Sequence, residues 1–367
     1  MNFTEKTAEL HRVKCKDCGA FLSYKVGTTQ LSCVYCGTSN EIAASKSNVV
    51  ELDFNSYLEA IQNSPSSQKI HTVKCSDCGA STSLKEGVVS DKCPYCATPL
   101  IVSQNSTYTI LTPSSILPFK VKKEEAEVSF KNWVQSLWFA PSDLKLYANS
   151  SKEELKSVYI PYWTYDCDTY THYIGERGDH YTVQENYQDN NGNTQTRSVQ
   201  KTRWESVEGD INQNFDDLLV CASSGLPKDI TKSLEPWDLH ELLDYNDSFL
   251  SGFITETYAL GLAEGWTEAK LEIKNKITDL IKQDIGGNEQ RIIDVDLQHS
   301  NVTFKHILLP LYLNTYKFNS KAYRFLINAR TGEVQGERPY SFWKIFFFVL
   351  SILAVIGIGI FALVKFM

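Results

Sequence analysis

Positive charge is scarce in this 367-residue chain. Thirty-six Lys and Arg face 44 Asp and Glu, for a formal net charge of −8 at pH 7. The shortage is concentrated in the middle. Residues 1–105 carry ten basic and ten acidic groups, and residues 341–367 carry Lys344 and Lys365 with no acid. The stretch 106–340 therefore holds 24 basic against 34 acidic groups. A large basic surface for gripping nucleic-acid phosphates is excluded by that balance. Phosphate-binding loops are missing as well. No GxxxxGK[ST] occurs, which excludes a P-loop NTPase, and there is no GxGxxG, GxSxG, HExxH or kinase signature. The opening stretch MNFTEKTAELHRVK has no apolar run and no cleavage pattern, so no secretory signal is expected. Wholesale disorder is excluded too, because 42% of the residues are hydrophobic and 22% charged.

Cysteine is where the chain is rich. Eight of its ten cysteines form two quartets, Cys15, Cys18, Cys33, Cys36 and Cys75, Cys78, Cys93, Cys96. Both read C-x2-C-x14-C-x2-C, and the second repeats the first sixty residues later. The flanks repeat with them: HRVKCKDCGAFLSYKVG matches HTVKCSDCGASTSLKEG, and CVYCGT matches CPYCAT. A tandem duplication is the direct reading. Each CxxC turn sets two thiolates on one side of a tight knuckle. Two knuckles on a short hairpin place four sulfurs tetrahedrally around Zn2+, ~2.3 Å from the metal. Gly19, Gly37 and Gly79 follow three of the four knuckles, and Ala97 follows the fourth. Segments this small bury too little apolar surface to fold alone, so metal binding, worth ~10–16 kcal/mol in small zinc peptides, is expected to hold them. Disulfides fit poorly with a cytosolic face, and redox CxxC pairs do not usually come as symmetric quartets. An iron–sulfur site remains open on spacing alone. With four thiolates and no open position, the metal is expected to be structural. Cys167 and Cys221 stand apart and read as ordinary, partly buried thiols.

From Ile345 to Val364 run twenty residues without a charge. At ~1.5 Å per residue they span ~30 Å, the thickness of the bilayer's hydrocarbon core. Tyr340, Phe342 and Trp343 sit at the mouth of this run, where amphipathic rings favour the interface. A single-pass C-terminal anchor with the bulk of the chain in the cytoplasm is the expected topology.

Between ribbons and anchor the pattern is mixed. Phe54, Tyr57, Leu58 and Ile61 mark a short amphipathic linker helix, expected to pack on a ribbon. Ala126, Phe130, Trp133, Val134 and Leu137 fall at helical spacing, and SKEELKSV reads as a further short helix with Ser151 as N-cap. Residues 158–211 read as an antiparallel meander, with GERGD and QDNNGN as turns. Helical pieces are expected around Pro227–Ser233 and Pro236–Leu243. A helical region follows from about Thr255, with Ile273, Ile277, Leu280 and Ile281 on one face and Gly286 after its end. Two or three strands close the body, turning at Asn319-Ser320 and Thr331-Gly332. His172 and His180 flank GERGD, near Asp166, Asp168 and Asp179. A hairpin there would bring the histidines together as a metal or acid–base cluster. We read them instead as polar surface positions. The six tryptophans of the body are read as core residues.

The order of segments carries a resemblance. A CxxC ribbon precedes IPYWTYD and GERG, then LLPLYLNTYKFNSKAYRFLINARTGEVQGERPYS and a terminal apolar helix. This resembles a group of bacterial zinc-ribbon membrane proteins, often labelled TFIIB-type zinc ribbon or primosomal protein N′ (replication factor Y)-like. It covers most of the chain and is most specific from LLPLYLNTYKF through NARTGEVQGERPYS. The helicase part of that label does not carry over, since the chain has no phosphate-binding loop. The resemblance implies a place beside membrane-associated scaffolds of the phage-shock (PspA-like) and stomatin-like (SPFH) types. This chain departs from the simpler pattern in having two ribbons.

The expected fold class is α+β. Two zinc ribbons at 1–40 and 71–104 flank a linker at 41–70. A mainly antiparallel body fills 105–340, and a transmembrane helix occupies 341–367. The expected cofactor is Zn2+ at two structural sites, and no catalytic residue is assigned. The expected function is a non-enzymatic, membrane-anchored adaptor that recruits protein partners beside the lipid bilayer. The alternative is a membrane-tethered ribbon protein that binds nucleic acid, which the neutral charge of residues 1–105 disfavours.

Overall fold

The computed structural model describes residues 13–42, 50–63, 68–75, 79–83, 90–93, 95, 99–101, 106–150, 155–188, 194–318 and 321–366. Strands β1 (Leu22–Lys25), β2 (Gln30–Cys33) and β3 (Ser39–Glu41) form a small antiparallel sheet in that order. Strand β4 (Leu52–Asp53) leads into helix α1 (Phe54–Asn63). The second cysteine repeat contains β5 (Gln68–Lys74), β6 (Ser81–Ser83), β7 (Ser90–Lys92) and β8 (Pro99–Ile101), followed by β9 (Ser106–Ile110) and β10 (Ser115–Ile116). Helices α2 (Lys123–Ser136) and α3 (Ser142–Ser150) precede the long strands β11 (Lys156–Gln188) and β12 (Thr194–Cys221). Then come α4 (Lys228–Lys232), β13 (Leu243–Asp244), β14 (Ile254–Thr255) and α5 (Leu262–Ile285). The chain ends with β15 (Glu289–Phe318), β16 (Lys321–Asn328), β17 (Val334–Gly336) and α6 (Phe342–Phe366).

The fold is α+β with mostly antiparallel pairing. Its main sheet runs β12-β11-β15-β10-β13, with β16 and β17 continuing from β15. Among the described residues, only the short pairings β10–β15 and β11–β14 are parallel in that sheet. Because side chains alternate along a strand, the sheet has two buried faces near the start of β11. Val158, Ile160 and Tyr162 point to one face with Ile307, Leu309 and Leu311 of β15. Tyr159, Leu308 and Tyr312 point to the other. The first cysteine repeat packs on the Tyr159 face: Leu22, Tyr24 and Leu31 share a core with Phe119 and with Ala126, Phe130 and Val134 of α2. The second repeat packs on the opposite face, where Ala80 and Tyr95 join Val158, Ile160 and Tyr162. The two repeats thus clamp one sheet from its two sides.

Further along, Trp163 and Tyr165, in step with Tyr159, meet α5. Ile273, Ile277, Ile281 and Ile285 recur every fourth residue and line the buried stripe of α5, while Leu280 is only half-buried. Gly286 ends the helix at φ 65°, a backbone state glycine adopts without strain.

Several expectations are corrected. GERGD is not a turn, because β11 runs straight through it. Its glycines serve close approach. A Cβ on Gly175 would lie 2.7 Å from both the Arg291 carbonyl oxygen and Ile285 Cδ1, and one on Gly178 would lie 2.8 Å from Thr202 and 2.9 Å from Trp204. Most of the QDNNGN tip and the turn at residues 319–320 lie outside the described residues. SKEELKSV does not form a helix throughout: Lys156–Val158 already belong to β11, residues 151–154 lie outside the described residues, and helix α3 ends just before the segment, at Ser150. Among the described residues the linker helix α1 packs on the body, with Phe54 against Tyr165, Trp266 and Phe304. The α5 region starts at Leu262, seven residues after Thr255, and β15 begins at Glu289, well before the expected strand. Not all tryptophans are core: Trp163, Trp237 and Trp266 are buried, but Trp138 is 76% exposed.

Helix α6 contains a 19-residue segment, Phe342–Ile360, of mean hydropathy 2.3, none of it buried. It is long and apolar enough to cross a membrane.

Candidate metal centre

Cys15 and Cys18 lie on the first knuckle, and Cys33 and Cys36 on the second. A hydrogen-bonded turn shapes each. The Cys15 amide donates to the Ala20 carbonyl (2.7 Å), and the Gly19 amide to the Cys15 carbonyl (2.9 Å). In the second, Cys33 donates to Thr38 (2.9 Å) and Gly37 to Cys33 (3.0 Å). Gly19 and Gly37 adopt φ 74° and 76°, which explains glycine after each knuckle. Antiparallel pairing of Leu22 with Cys33 brings the knuckles together.

The result is a four-sulfur group whose atoms all lie within 4.8 Å of one another. Cys15 Sγ is 3.5 Å from Cys36 Sγ, and Cys18 Sγ is 3.5 Å from Cys33 Sγ. These separations are far beyond the ~2.05 Å of a disulfide. Four sulfurs held tetrahedrally at ~2.3 Å from one ion would lie ~3.8 Å apart. The donor set and its spacing therefore fit a metal ion, and this group could hold one. Around it, Thr38 Oγ1 is 3.3 Å from Cys36 Sγ and donates to Asp17 Oδ2 (2.5 Å), tying the two knuckles. The side chain and the backbone of Thr38 beside it hold the Cys36 thiol down at about 6. The Ala20 amide favours the Cys18 thiolate, but bonds from Cys33 and Cys36 outweigh it and carry Cys18 up to about 12. Packed thiols without a cation cannot all ionise together, and a bound cation removes that conflict.

In the second repeat, Cys75 and Cys93 are buried like their equivalents Cys15 and Cys33. Cys78 and Cys96 lie outside the described residues. The local backbone repeats the first unit. Cys75 donates to Ala80 (2.8 Å), Gly79 donates to Cys75 (3.0 Å), and Gly79 has φ 77°. Ser90↔Ile101, Asp91↔Leu100 and Lys92↔Pro99 reproduce Gln30↔Glu41, Leu31↔Asn40 and Ser32↔Ser39 with a shift of sixty.

The two repeats dock by different ends. The first uses its hairpin: the Tyr24 amide donates to the Ser251 carbonyl and the Gly27 amide to the Phe119 carbonyl, both 3.0 Å. The second uses its knuckles. Ser224 Oγ donates to the Gly79 carbonyl (2.8 Å), and Thr315 Oγ1 to the Tyr95 carbonyl (3.0 Å). Tyr95 is fully buried and donates its hydroxyl to Glu256 Oε2 (2.6 Å), while Ser223 Oγ donates to Glu256 Oε1 (2.9 Å). Burial pushes Glu256 up to about 7 against those two bonds. The equivalent of Tyr95 in the first repeat is Tyr35. It is 84% exposed, beside Val34 at 79%.

Two other polar groupings lie in the body. His172 and His180 are not brought together. They lie eight residues apart on one extended strand, ~26 Å at 3.3 Å per residue. His172 Nδ1 lies 2.9 Å from Asp210, which raises its pKa, and His180 Nε2 lies 2.7 Å from Glu289. Asp168 is held by Asn301 and Asn214, which lower its pKa. The second grouping was not legible in the sequence. Buried Lys305 reaches Asp217 (2.7 Å), Glu51 (3.0 Å) and Asp166 (3.7 Å). Burial opposes its charge, yet these carboxylates hold its pKa above the usual lysine range. Carboxylate oxygens of Glu51, Asp166 and Asp216 also cluster within 4.8 Å, and the Lys305 ammonium supplies positive charge there. No motif announces Glu256 or Lys305, because each partner lies far away in the chain.

A protein of Bacillus subtilis (strain 168) described as "Uncharacterized protein YdjG" aligns with this chain over 239 residues at 27% identity, covering 64% of this chain and 66% of that protein. The chain thus spans just under two thirds of the length of the curated relative it matches. No family model matches, and no solved structure matches.

Proposed function

We propose that this chain is a non-enzymatic, membrane-anchored zinc-ribbon adaptor. Both cysteine quartets hold structural Zn2+, α6 spans the bilayer as a single C-terminal anchor, and the bulk of the chain faces the cytoplasm. The first ribbon is the recruiting element, and the second is built into the body. Tetrathiolate donors with no open position suit a structural metal. The sixty-residue repetition of turns and register supports a second site. The observation that carries the reading is the contrast between Tyr95, seated on Glu256, and Tyr35, which stands out in solvent beside Val34. An aromatic and an aliphatic side chain on a metal-stapled tip make a rigid anchor of the kind that dominates protein interfaces. The partner is a cytoplasmic protein at the membrane. The family resemblance suggests PspA-like or SPFH-like membrane-stress scaffolds. Confinement to the bilayer raises the effective concentration of any membrane-bound partner.

The test is a full-length chain carrying Cys15→Ser and Cys75→Ser together. It should remain in the membrane fraction and lose the proteins that co-purify with the parent. Recovery of the same proteins with the double variant would end the recruitment reading.

A further inference from the structure

The corner between α2 and α3 lies against the mouth of α6. Three contacts fasten it there. The Ser341 amide donates to the Phe139 carbonyl (2.8 Å), Lys344 Nζ donates to the Ala140 carbonyl (2.7 Å), and the Phe139 and Phe348 rings meet edge-on at 5.2 Å. Around the corner the apolar residues turn inward: Leu137, Ala140 and Leu144 are buried in the core beneath the helices. Trp138 does the opposite and is 76% exposed. Together with Trp343, Phe347, Phe348, Lys145 and Lys344 it lines an open hollow of about 650 Å³. Leu146 of α3 is also exposed.

The position of this corner follows from the length of the span. The uncharged run Ile345–Val364 is twenty residues, which at ~1.5 Å per residue matches the ~30 Å hydrocarbon core with nothing to spare. Ile345 therefore marks the hydrocarbon boundary. Phe348 lies three residues beyond it, ~4.5 Å deeper. Phe139 touches Phe348, so the corner reaches the boundary itself. The headgroup layer on each side is only ~5–8 Å thick, half the difference between the whole bilayer and its core. A corner fastened there cannot stand clear of the lipid. Its chemistry suits that layer: tryptophan rings favour it, and lysines extend their ammonium groups to lipid phosphates from apolar stems.

We propose that the α2–α3 corner is a second membrane contact, inserting Trp138 into the phospholipid headgroup layer beside the anchor and fixing the body's orientation on the bilayer. Lys344 and Lys145 each donate one ammonium hydrogen to a backbone carbonyl, of Ala140 (2.7 Å) and Gln135 (2.6 Å), and their remaining hydrogens are offered to the lipid phosphates. The inference rests on reading α6 as a membrane span.

The test is intrinsic fluorescence of the full chain in phosphatidylcholine nanodiscs with acyl chains brominated near the headgroup. The parent is compared with Trp138→Phe and Trp343→Phe. Both residues are largely exposed, so neither change should disturb the fold. The proposal expects each variant to lose roughly half of the bromine-quenchable emission, because two of the seven tryptophans lie at the interface. Quenching unchanged in Trp138→Phe but abolished in Trp343→Phe would overturn the corner contact and leave the anchor standing. No quenching in the parent would overturn the span and the proposal with it.

Discussion

The two cysteine repeats share one sequence pattern and, among the described residues, the same first knuckle turn and one strand register, yet they meet the body in opposite ways. The first docks through its hairpin, on the face of the sheet shared with α2; Cys15 and Cys33 are buried there, and Cys18, Val34, Tyr35 and Cys36 are left exposed. The second docks through its knuckles on the other face, with Tyr95 sealed against a buried carboxylate. Duplication supplied two equal modules. What distinguishes them is the surface each one keeps. A module with its tip buried contributes to the core, whereas one with its tip exposed is free to bind.

The largest effect expected concerns metal. If both quartets are alike in chemistry, the purified chain holds two zinc ions by elemental analysis, and Cys15→Ser with Cys33→Ser leaves one. A site is worth ~10–16 kcal/mol in small zinc peptides, so if both quartets hold zinc, chelation should unfold both repeats. A single ion in the parent would break the equivalence.

Next is Tyr95. Its replacement by alanine empties a buried aromatic site and strands Glu256, at a cost of ~3–5 kcal/mol in denaturant unfolding. A loss under ~1 kcal/mol would contradict knuckle docking by the second repeat.

Third is pH. Burial lifts Glu256 from an ordinary carboxyl value of 4.5 to about 7, so the folded chain binds its proton more tightly than the unfolded chain does. Stability from this group is complete below about pH 4.5 and is lost as pH rises towards 7. The change is on the order of 3 kcal/mol, and Glu256→Gln should flatten it. Urea titrations at stepped pH would check this, and an unaltered pH slope in the variant would count against the buried carboxylate.

The smallest effect is Tyr35→Ala, expected within ~0.5 kcal/mol of the parent in the same unfolding measurement. A cost comparable to that of Tyr95→Ala would erase the contrast.

Much of the first centre was legible in the sequence, because four cysteines at CxxC spacing encode their own geometry. The apolar end helix was legible from length alone. The sixty-residue repeat was legible as well, but not its asymmetry. Tyr35 and Tyr95 look alike in sequence, and only the approach of Glu256, 161 residues from Tyr95, separates them. GERGD misled because glycine and charge imitate a turn, when Gly175 and Gly178 in fact admit Ile285, Thr202 and Trp204. The length of β11 was hidden for the same reason. Helix α3 was missed because SDLKLYANS has a weak apolar stripe and is held largely by packing.

The central claim is that the free tip of the first ribbon recruits a protein. Its most direct test is affinity purification of full-length parent and a Val34→Ser, Tyr35→Ser variant, matched for zinc content and membrane fraction. The account predicts a co-purifying protein that falls at least ~tenfold in the variant, the effect of losing ~1.4 kcal/mol of binding. An unchanged set of partners, or none with the parent, would contradict it.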